Sequence, residues 1–363
     1  MKNYFYILLI AIAVLGIFFT ACGPEDDNKD KNVIEINEDI KSATVWSGDK
    51  TYIIKKYDFY VEDVLTIEAG AIIKFSSQAK NLTLSNNGQI LANGTASQPI
   101  VFTSIKDDSK GGDTNKDGDG SSPATGDWAK IDLNGTKSSV FNYCEFYYGG
   151  FGTGASPTLD LNAESAAKIK NCTFAHNGGG ISGKYYIGTI HADNASSETV
   201  IQNNLFYDNI LPLTITGDIS IDNSNTFSKD GTANKYNGIF VSRNVNKNTT
   251  WLEDEIAYVI TSDEIQIQPN ASLTLGDNVV LKFSEASQLE ILQTESSLGN
   301  YDGNGVYFTS LKDDELKGDT NGDGNTSTPQ TADWKGIYIN VWKSAGYATW
   351  SNIRYNDPDA VLK

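Results

Sequence analysis

Residues 103–128 read TSIKDDSKGGDTNKDGDGSSPATGDW, and residues 309–334 read TSLKDDELKGDTNGDGNTSTPQTADW. Sixteen of these twenty-six positions are identical at a constant offset of 206. The likeness extends outward from this core. Leu65-Thr-Ile-Glu-Ala-Gly-Ala-Ile-Ile-Lys-Phe75 matches Leu273-Thr-Leu-Gly-Asp-Asn-Val-Val-Leu-Lys-Phe283, and Trp46…Tyr52-Ile-Ile matches Trp251…Tyr258-Val-Ile. The chain is therefore two related halves with a middle section between them. Self-similarity of this kind marks a repeat architecture.

Within each half, short runs of Val, Ile, Leu, Phe and Tyr are broken by Gly, Asn and Asp. Such runs read as strands of a few residues, and no apolar stripe at helical spacing appears after residue 40. Similar strands recur at spacings in the twenties, which suits one coil of a solenoid. The middle section repeats the theme. Ile169-Lys-Asn171-Cys-Thr-Phe174-Ala-His-Asn177 is followed by Ile201-Gln-Asn203-Asn-Leu-Phe206-Tyr-Asp-Asn209. Val140-Phe-Asn142-Tyr-Cys-Glu-Phe146 precedes them, and Ile221-Asp-Asn223…Phe227 follows. An Asn at one place in successive coils (142, 171, 203, 223) can stack its amide in a ladder, with Phe stacking below it in the core. Cys144 and Cys172 each stand two residues before their Phe. They are expected to stack in neighbouring coils as small buried thiols and not as a disulfide.

The expected fold is all-β, a right-handed single-stranded parallel β-helix with long inserted loops. Its parts are a repeat unit at 42–150, middle coils at 151–247 and a second repeat unit at 248–363. LTIEAGAIIKF, then GQILANGTASQPIVFTS at 88–104, then the KDD…GDTN.DG…DW loop resemble the pectin-lyase-like β-helix proteins of bacterial surfaces. The similarity covers roughly residues 45–355 and implies that same fold.

The chain opens with one charge, Lys2, and an apolar run from Tyr4 to Phe19. That length suits the core of a secretory signal peptide better than a membrane span. Phe19-Thr20-Ala21-Cys22 resembles a bacterial lipobox, so residues 1–22 read as a lipoprotein signal peptide, cleaved ahead of Cys22, the lipidation site and new N-terminus. Phe19 departs from the usual Leu, and an ordinary signal peptide with a chance cysteine is the alternative. Residues 23–41 read as an acidic flexible tether. Gly23-Pro-Glu-Asp-Asp-Asn-Lys-Asp-Lys31 resembles the surface-export signal of Bacteroidetes lipoproteins, which implies the cell surface of the outer membrane.

Without residues 1–22, 27 basic and 46 acidic side chains leave a net charge of −19. Nucleic acid and anionic membrane faces are repelled by such a chain, whereas calcium is a natural counter-ion. The DTN loops offer a place for it. Asp113, Asn115 and Asp117, with Gly118 and Asp119, put oxygen ligands at positions 1, 3 and 5 and glycine at 6. Asp319, Asn321 and Asp323, with Gly324 and Asn325, do the same. Calcium takes six to eight oxygens on a tightly curled backbone, and this spacing supplies them. Position 12 holds Ala124 and Gln330 where an EF-hand-like loop would have Glu. Another acid must close the shell: Asp127 or Asp333 before each Trp, or one of Asp107, Asp108, Asp313 and Asp314. The competing reading of a DxNxDG is an acidic turn. Trp128 and Trp334 are expected to anchor the loops to the core, with sugar stacking as the other reading.

No catalytic residue is assigned from the sequence. Lyases of the resembled fold use calcium and an Arg or Lys base, but the only arginines, Arg243 and Arg354, lie in no lyase motif. A hydrolase would want clustered acids on one sheet face, and the densest acids are claimed by the loops. His176, one of two histidines, reads as a turn residue more than a base, and His191 carries no motif. Triplets such as Asn134-Gly-Thr read as turns. Two functions therefore stand: a non-catalytic calcium-binding surface module for adhesion to polysaccharide or cell-surface protein, or a polysaccharide lyase acting on an acidic polysaccharide. A solenoid must also cover its terminal coils. The segment Trp46 to Tyr60 is the candidate at the start. At the end, either a loop after Tyr355 folds back or the sequence is truncated.

Overall fold

The computed structural model describes residues 32–76, 81–134, 137–151, 155–341 and 344–360. The expected signal segment, Cys22 and residues 23–31 lie outside the described residues.

From Val33 onward the chain winds as a right-handed parallel β-helix. Each coil of the first half visits three sheets in turn. One is ten-stranded and runs from Asp58–Val61 to Tyr307–Ser310. One is six-stranded, from Thr44–Trp46 to Val200–Gln202, and one seven-stranded, from Val33–Ile36 to Leu205–Tyr207. Neighbouring strands are parallel, with partners such as Thr51 and Ile72, or Lys168 and Val200, one coil apart. Among the described residues there is no α-helix; a 3-10 turn spans Glu295–Ser297. These short β-branched and aromatic runs alternate inward and outward, so inward residues of successive coils stack into one core.

That stack is most regular in the middle. Phe102, Phe146, Phe174, Phe206 and Phe227 lie ring on ring, with centroids 4.9, 4.7, 5.0 and 5.2 Å apart and planes within 9°. Cys144 and Cys172 are free, buried thiols at the same place in adjacent coils, as expected. The asparagine ladder differs from expectation by position. Asn171 does donate to Asn142 (2.8 Å), but it stands, like Asn203, at a left-handed corner, with φ 56° and 55°. Asn204, the neighbour of Asn203, forms the buried rung, donating 3.0 Å to Asn225. A second ladder runs from Asn177 to Asn209 (3.0 Å) to Asn234 (2.8 Å). Each of these amides also reaches a carbonyl of the preceding coil, as Asn209 does with Phe174 (2.8 Å), so the buried groups are satisfied. Asn is favoured at both places, since it tolerates the left-handed corner and also fills the ladder, and sequence alone does not separate the two.

The start of the solenoid lies earlier than residue 42. Val33–Ile36 pairs with Thr51–Ile54, and Ile40 is buried and bridged to Val61. Residues 33–41 therefore belong to the β-helix and not to a tether, and this strand, not Trp46 to Tyr60, covers the first coil. The strand is short and interrupted by one acid, Glu35, paired to Lys55 outside, which disguised it. At the other end Gly346–Tyr347 turns back antiparallel on Gly336–Ile339, and Trp350 stacks on Tyr301 at 4.0 Å.

The two halves do not occupy equivalent faces. Thr51–Ile54, Ile72–Phe75 and Ile100–Ser104 lie in the seven-stranded sheet, whereas their counterparts Ala257–Ile260, Val280–Phe283 and Tyr307–Ser310 lie in the ten-stranded one. Likewise Asp58–Val61 is in the ten-stranded sheet, and its counterpart Ile265–Ile267 is in a four-stranded sheet with Gln288–Ile291 and Gly336–Ile339. The second repeat is displaced by one face. Its long loop consequently leaves a different corner of the coil from the first.

Candidate metal-binding loops and an adjoining cleft

Both long loops are built on the same four attachments. Asp107 and Asp313 are buried and accept from Thr103 (2.7 Å) and Thr309 (2.6 Å). Asp127 accepts from Ser104 Oγ (2.7 Å), Lys106 Nζ (2.7 Å) and the Ala124 amide (3.0 Å). Asp333 repeats this with Ser310 (2.7 Å), Lys312 (2.8 Å) and the Gln330 amide (2.9 Å). Burial works against the Asp333 carboxylate, but Lys312 and these hydrogen bonds hold it below the ordinary range. Trp128 lies fully buried on Phe75 at 4.1 Å and donates to Tyr147 O (2.8 Å). Trp334 lies on Phe283 at 4.0 Å and donates to Arg354 O (2.8 Å). The tryptophans are anchors in the core.

The fourth attachment was not foreseen. Lys74 and Lys282, the lysines of IIKF and VLKF, are 0% exposed beneath the loops. Lys74 Nζ donates to Asp107 O (3.0 Å) and Gly112 O (2.7 Å), and Lys282 Nζ to Gly318 O (2.6 Å) and Thr320 Oγ1 (2.8 Å). Burial pushes the Lys282 ammonium down to about 8.

Above the lysines the DTN turns curl as their spacing demands. Asp113 accepts from the Lys116 (2.7 Å) and Gly118 (2.9 Å) amides, and Asp319 from those of Gly322 and Gly324 (both 2.7 Å). Gly118 and Gly324 take φ 58° and 66°, the left-handed turn expected of position 6. Asn115 and Asn321 donate to Asp117 and Asp323, each at 3.0 Å, and to Ser121 and Ser327, each at 3.1 Å. Asp108, Asp113 and Asp117 bring carboxylate oxygens within 4.8 Å of one another, and so do Asp314, Asp319 and Asp323. Of the acids that could complete a shell, Asp108 and Asp314 thus join the triads. Asp127 and Asp333 stand apart as loop pins, and Asp119 and Asn325 are exposed beyond the triad.

Electrostatics set these triads apart from acidic turns that close on themselves. Burial, and then the charge of Asp113, raises Asp108; burial and Asp319 raise Asp314. Asp113 is held low, first by the Gly118 amide. The oxygens Asp108 Oδ1, Asn115 Oδ1 and Asp314 Oδ1 are enclosed yet accept no hydrogen bond. Buried acceptors are normally satisfied, so an all-oxygen set with unfilled acceptors fits a hard divalent cation. Calcium would be held by Asp108, Asp113, Asn115 and Asp117, and by Asp314, Asp319, Asn321 and Asp323.

A second constellation lies on the outer face of the ten-stranded sheet. Lys130 Nζ is 2.5 Å from Asp160, Asp160 is 3.1 Å from His191 Nδ1, His191 Nε2 is 3.7 Å from Asp193, and Asp193 is 4.0 Å from Arg243. Burial opposes the charge on Asp160, but His191 and Lys130 hold it below its ordinary value. A cleft of 580 Å³ opens here, lined by Tyr185, Tyr186, His191, Asp193, Arg243 and Glu264 among others. Sequence reasoning missed this group because its members come from successive coils far apart in the chain. Only the register, in which Asp160 and His191 are direct partners, brings them together. Arg354 is elsewhere, over Tyr307 (4.6 Å) at the foot of the second loop, 4.0 Å from Asp313. His176 holds a corner at φ 59°, paired with Asp208 (2.7 Å) and stacked on Tyr148.

Residues 38–116 match the family model of the pectate-lyase like beta helix domain. Together with the long parallel sheets, this match supports a pectin-lyase-like β-helix. No curated protein matches, and no solved structure does.

Proposed function

We propose that this chain is a non-catalytic, calcium-binding β-helix lipoprotein of the cell surface. It is anchored in the outer membrane through Cys22 and acts in adhesion to polysaccharide or cell-surface protein. The observation that carries the calcium reading is the twice-built triad, Asp108–Asp113–Asp117 and Asp314–Asp319–Asp323, each with an enclosed carboxylate oxygen that accepts nothing. Calcium there would fasten the outer turn of a long insertion that has little core of its own. In isothermal titration calorimetry the exported chain is expected to bind two calcium ions. Asp319→Asn with Asp323→Asn should leave one, and Asp113→Asn with Asp117→Asn the other. Absence of calcium heat, with no rise in melting temperature, would overturn this reading.

The lyase reading is favoured by one observation, the convergence of Arg243 and His191 in the cleft. Against it, Arg243 faces Asp193, and the acids of the cleft, Asp193, Asp263 and Glu264, outnumber its lysine and arginine, Lys184 and Arg243. An acidic polysaccharide would meet like charge there. Incubation with acidic and neutral polysaccharides in calcium is expected to yield neither unsaturated product nor new reducing ends. Product that disappears with Arg243→Ala would make the protein a lyase.

A further inference from the structure

The two buried lysines have no part in the reading above, and they are costly. An ammonium taken wholly out of water is tolerated only where acceptors replace its hydration. Here the acceptors belong to the loops. Lys74 bridges Asp107 O and Gly112 O, which closes residues 107–112 into a ring over the sheet, and Lys282 grips Gly318 O and Thr320 at the matching place. The two residues before them differ between the halves, Ile72 and Ile73 against Val280 and Leu281, whereas the lysine, the Phe after it and the glycine carbonyl acceptor recur. The charges of Asp108 and Asp113 act on the Lys74 ammonium, and those of Asp314 and Asp319 on that of Lys282. A fixed positive charge thus underlies each group of three acids.

We propose that Lys74 and Lys282 are built-in cations that hold the inner turn of each loop without a divalent ion, Lys74 by closing residues 107–112 and Lys282 by gripping the end of 313–318 at Gly318 and Thr320. The calcium of the proposed function then orders the outer turn, residues 113–123 and 319–329, against the Asp108 and Asp314 carboxylates that the inner turn already presents. This part of the inference rests on the calcium reading; the lysine's role does not. Each loop is accordingly a two-cation device. The ammonium holds Asp108 and Asp113 close together in advance, so little ordering remains for the ion to impose.

Hydrogen exchange of the exported chain, read by mass spectrometry with calcium and with chelator, separates the two cations. In the unmodified protein, chelation is expected to speed exchange about tenfold or more in 319–329 and to leave 313–318 protected. Release of 313–318 by chelation alone would overturn the proposal, and this arm needs no variant. Lys282→Ala should expose 313–318 even in calcium while the first loop stays protected. n-Propylammonium, which restores the missing stem and charge, should return protection, whereas n-propanol should not. Equal rescue by both would reduce the lysine to a space-filler and sink the idea. If calcium changes nothing in either loop while the amine rescue succeeds, the calcium reading falls and the lysine assignment stands.

Discussion

Phe174→Ala is expected to destabilise the β-helix by about 4 kcal/mol, within the range for deleting a buried phenyl ring. Phe174 lies between Phe146 at 4.7 Å and Phe206 at 5.0 Å, nearly parallel to both. Removing it costs two ring contacts as well as the buried area. The gap cannot close easily. Coil spacing is held on either side by the backbone ladder and by the Asn177–Asn209–Asn234 rungs, so the void remains. Phe227, at the end of the stack with Phe206 at 5.2 Å, should be less sensitive to the same change. Urea unfolding measures both. A loss below about 1.5 kcal/mol at Phe174 would mean that the neighbouring coils collapse, contrary to a rigid stack.

Glu253→Gln is expected to stabilise the protein above pH 7, by on the order of 3 kcal/mol. Glu253 is 1% exposed; its Oε1 accepts from the Glu255 amide at 2.8 Å, and its Oε2 is enclosed without a partner. Burial, and then the charges of Glu255 and Asp254, raise it to about 7 against the amide that lowers it. The folded chain therefore keeps a proton that the unfolded chain releases near 4.5. Stability should fall as pH rises from about 4.5 to about 7 and then level off. Glutamine removes that slope. Urea midpoints at pH 5 and pH 8 test it, and parallel curves for both proteins would rule out Glu253 as the source. At the matching place in the first half stands Ser47, whose amide also meets a tyrosine hydroxyl, Tyr52, as Glu253 meets Tyr258. The acid stands in the second half alone, and the tyrosine contact forms without it in the first.

These residues also mark how far the chain can be read without its structure. Phe146, Phe174, Phe206 and Phe227 could be aligned by eye, because an inward ring recurring in register has one explanation in a coil. The buried thiols and the tryptophan anchors were legible for the same reason. Asp108 and Asp314 could be named only as candidates beside Asp127 and Asp333. All four flank the DTN turn, and what separates them is which ones Lys106 and Lys312 have already engaged. Lys74 and Lys282 look in sequence like outward strand residues. They are buried only because a loop 36 to 38 residues later folds over them. The Asp160–His191 pair was invisible because coil register, and no local spacing, creates it. The one-face displacement was hidden too. It arises between Ile215 and Gly238, where single bridges such as Ile221 to Trp251 and Leu205 to Thr226 replace regular strands.

That displacement bears on avidity. Had the repeats been in phase, the two DTN loops would form a pair along one side, and a single flat surface could grip both at once. With the second loop leaving the next corner, a flat surface can meet only one loop at a time. A ligand that engages both must curl around the axis, or two separate ligands must approach from different directions. Effective concentration multiplies affinity only when geometry allows simultaneous contact. Were the proposed adhesion carried by these loops, a rigid bivalent target would add little, and the arrangement would suit bridging better than clamping.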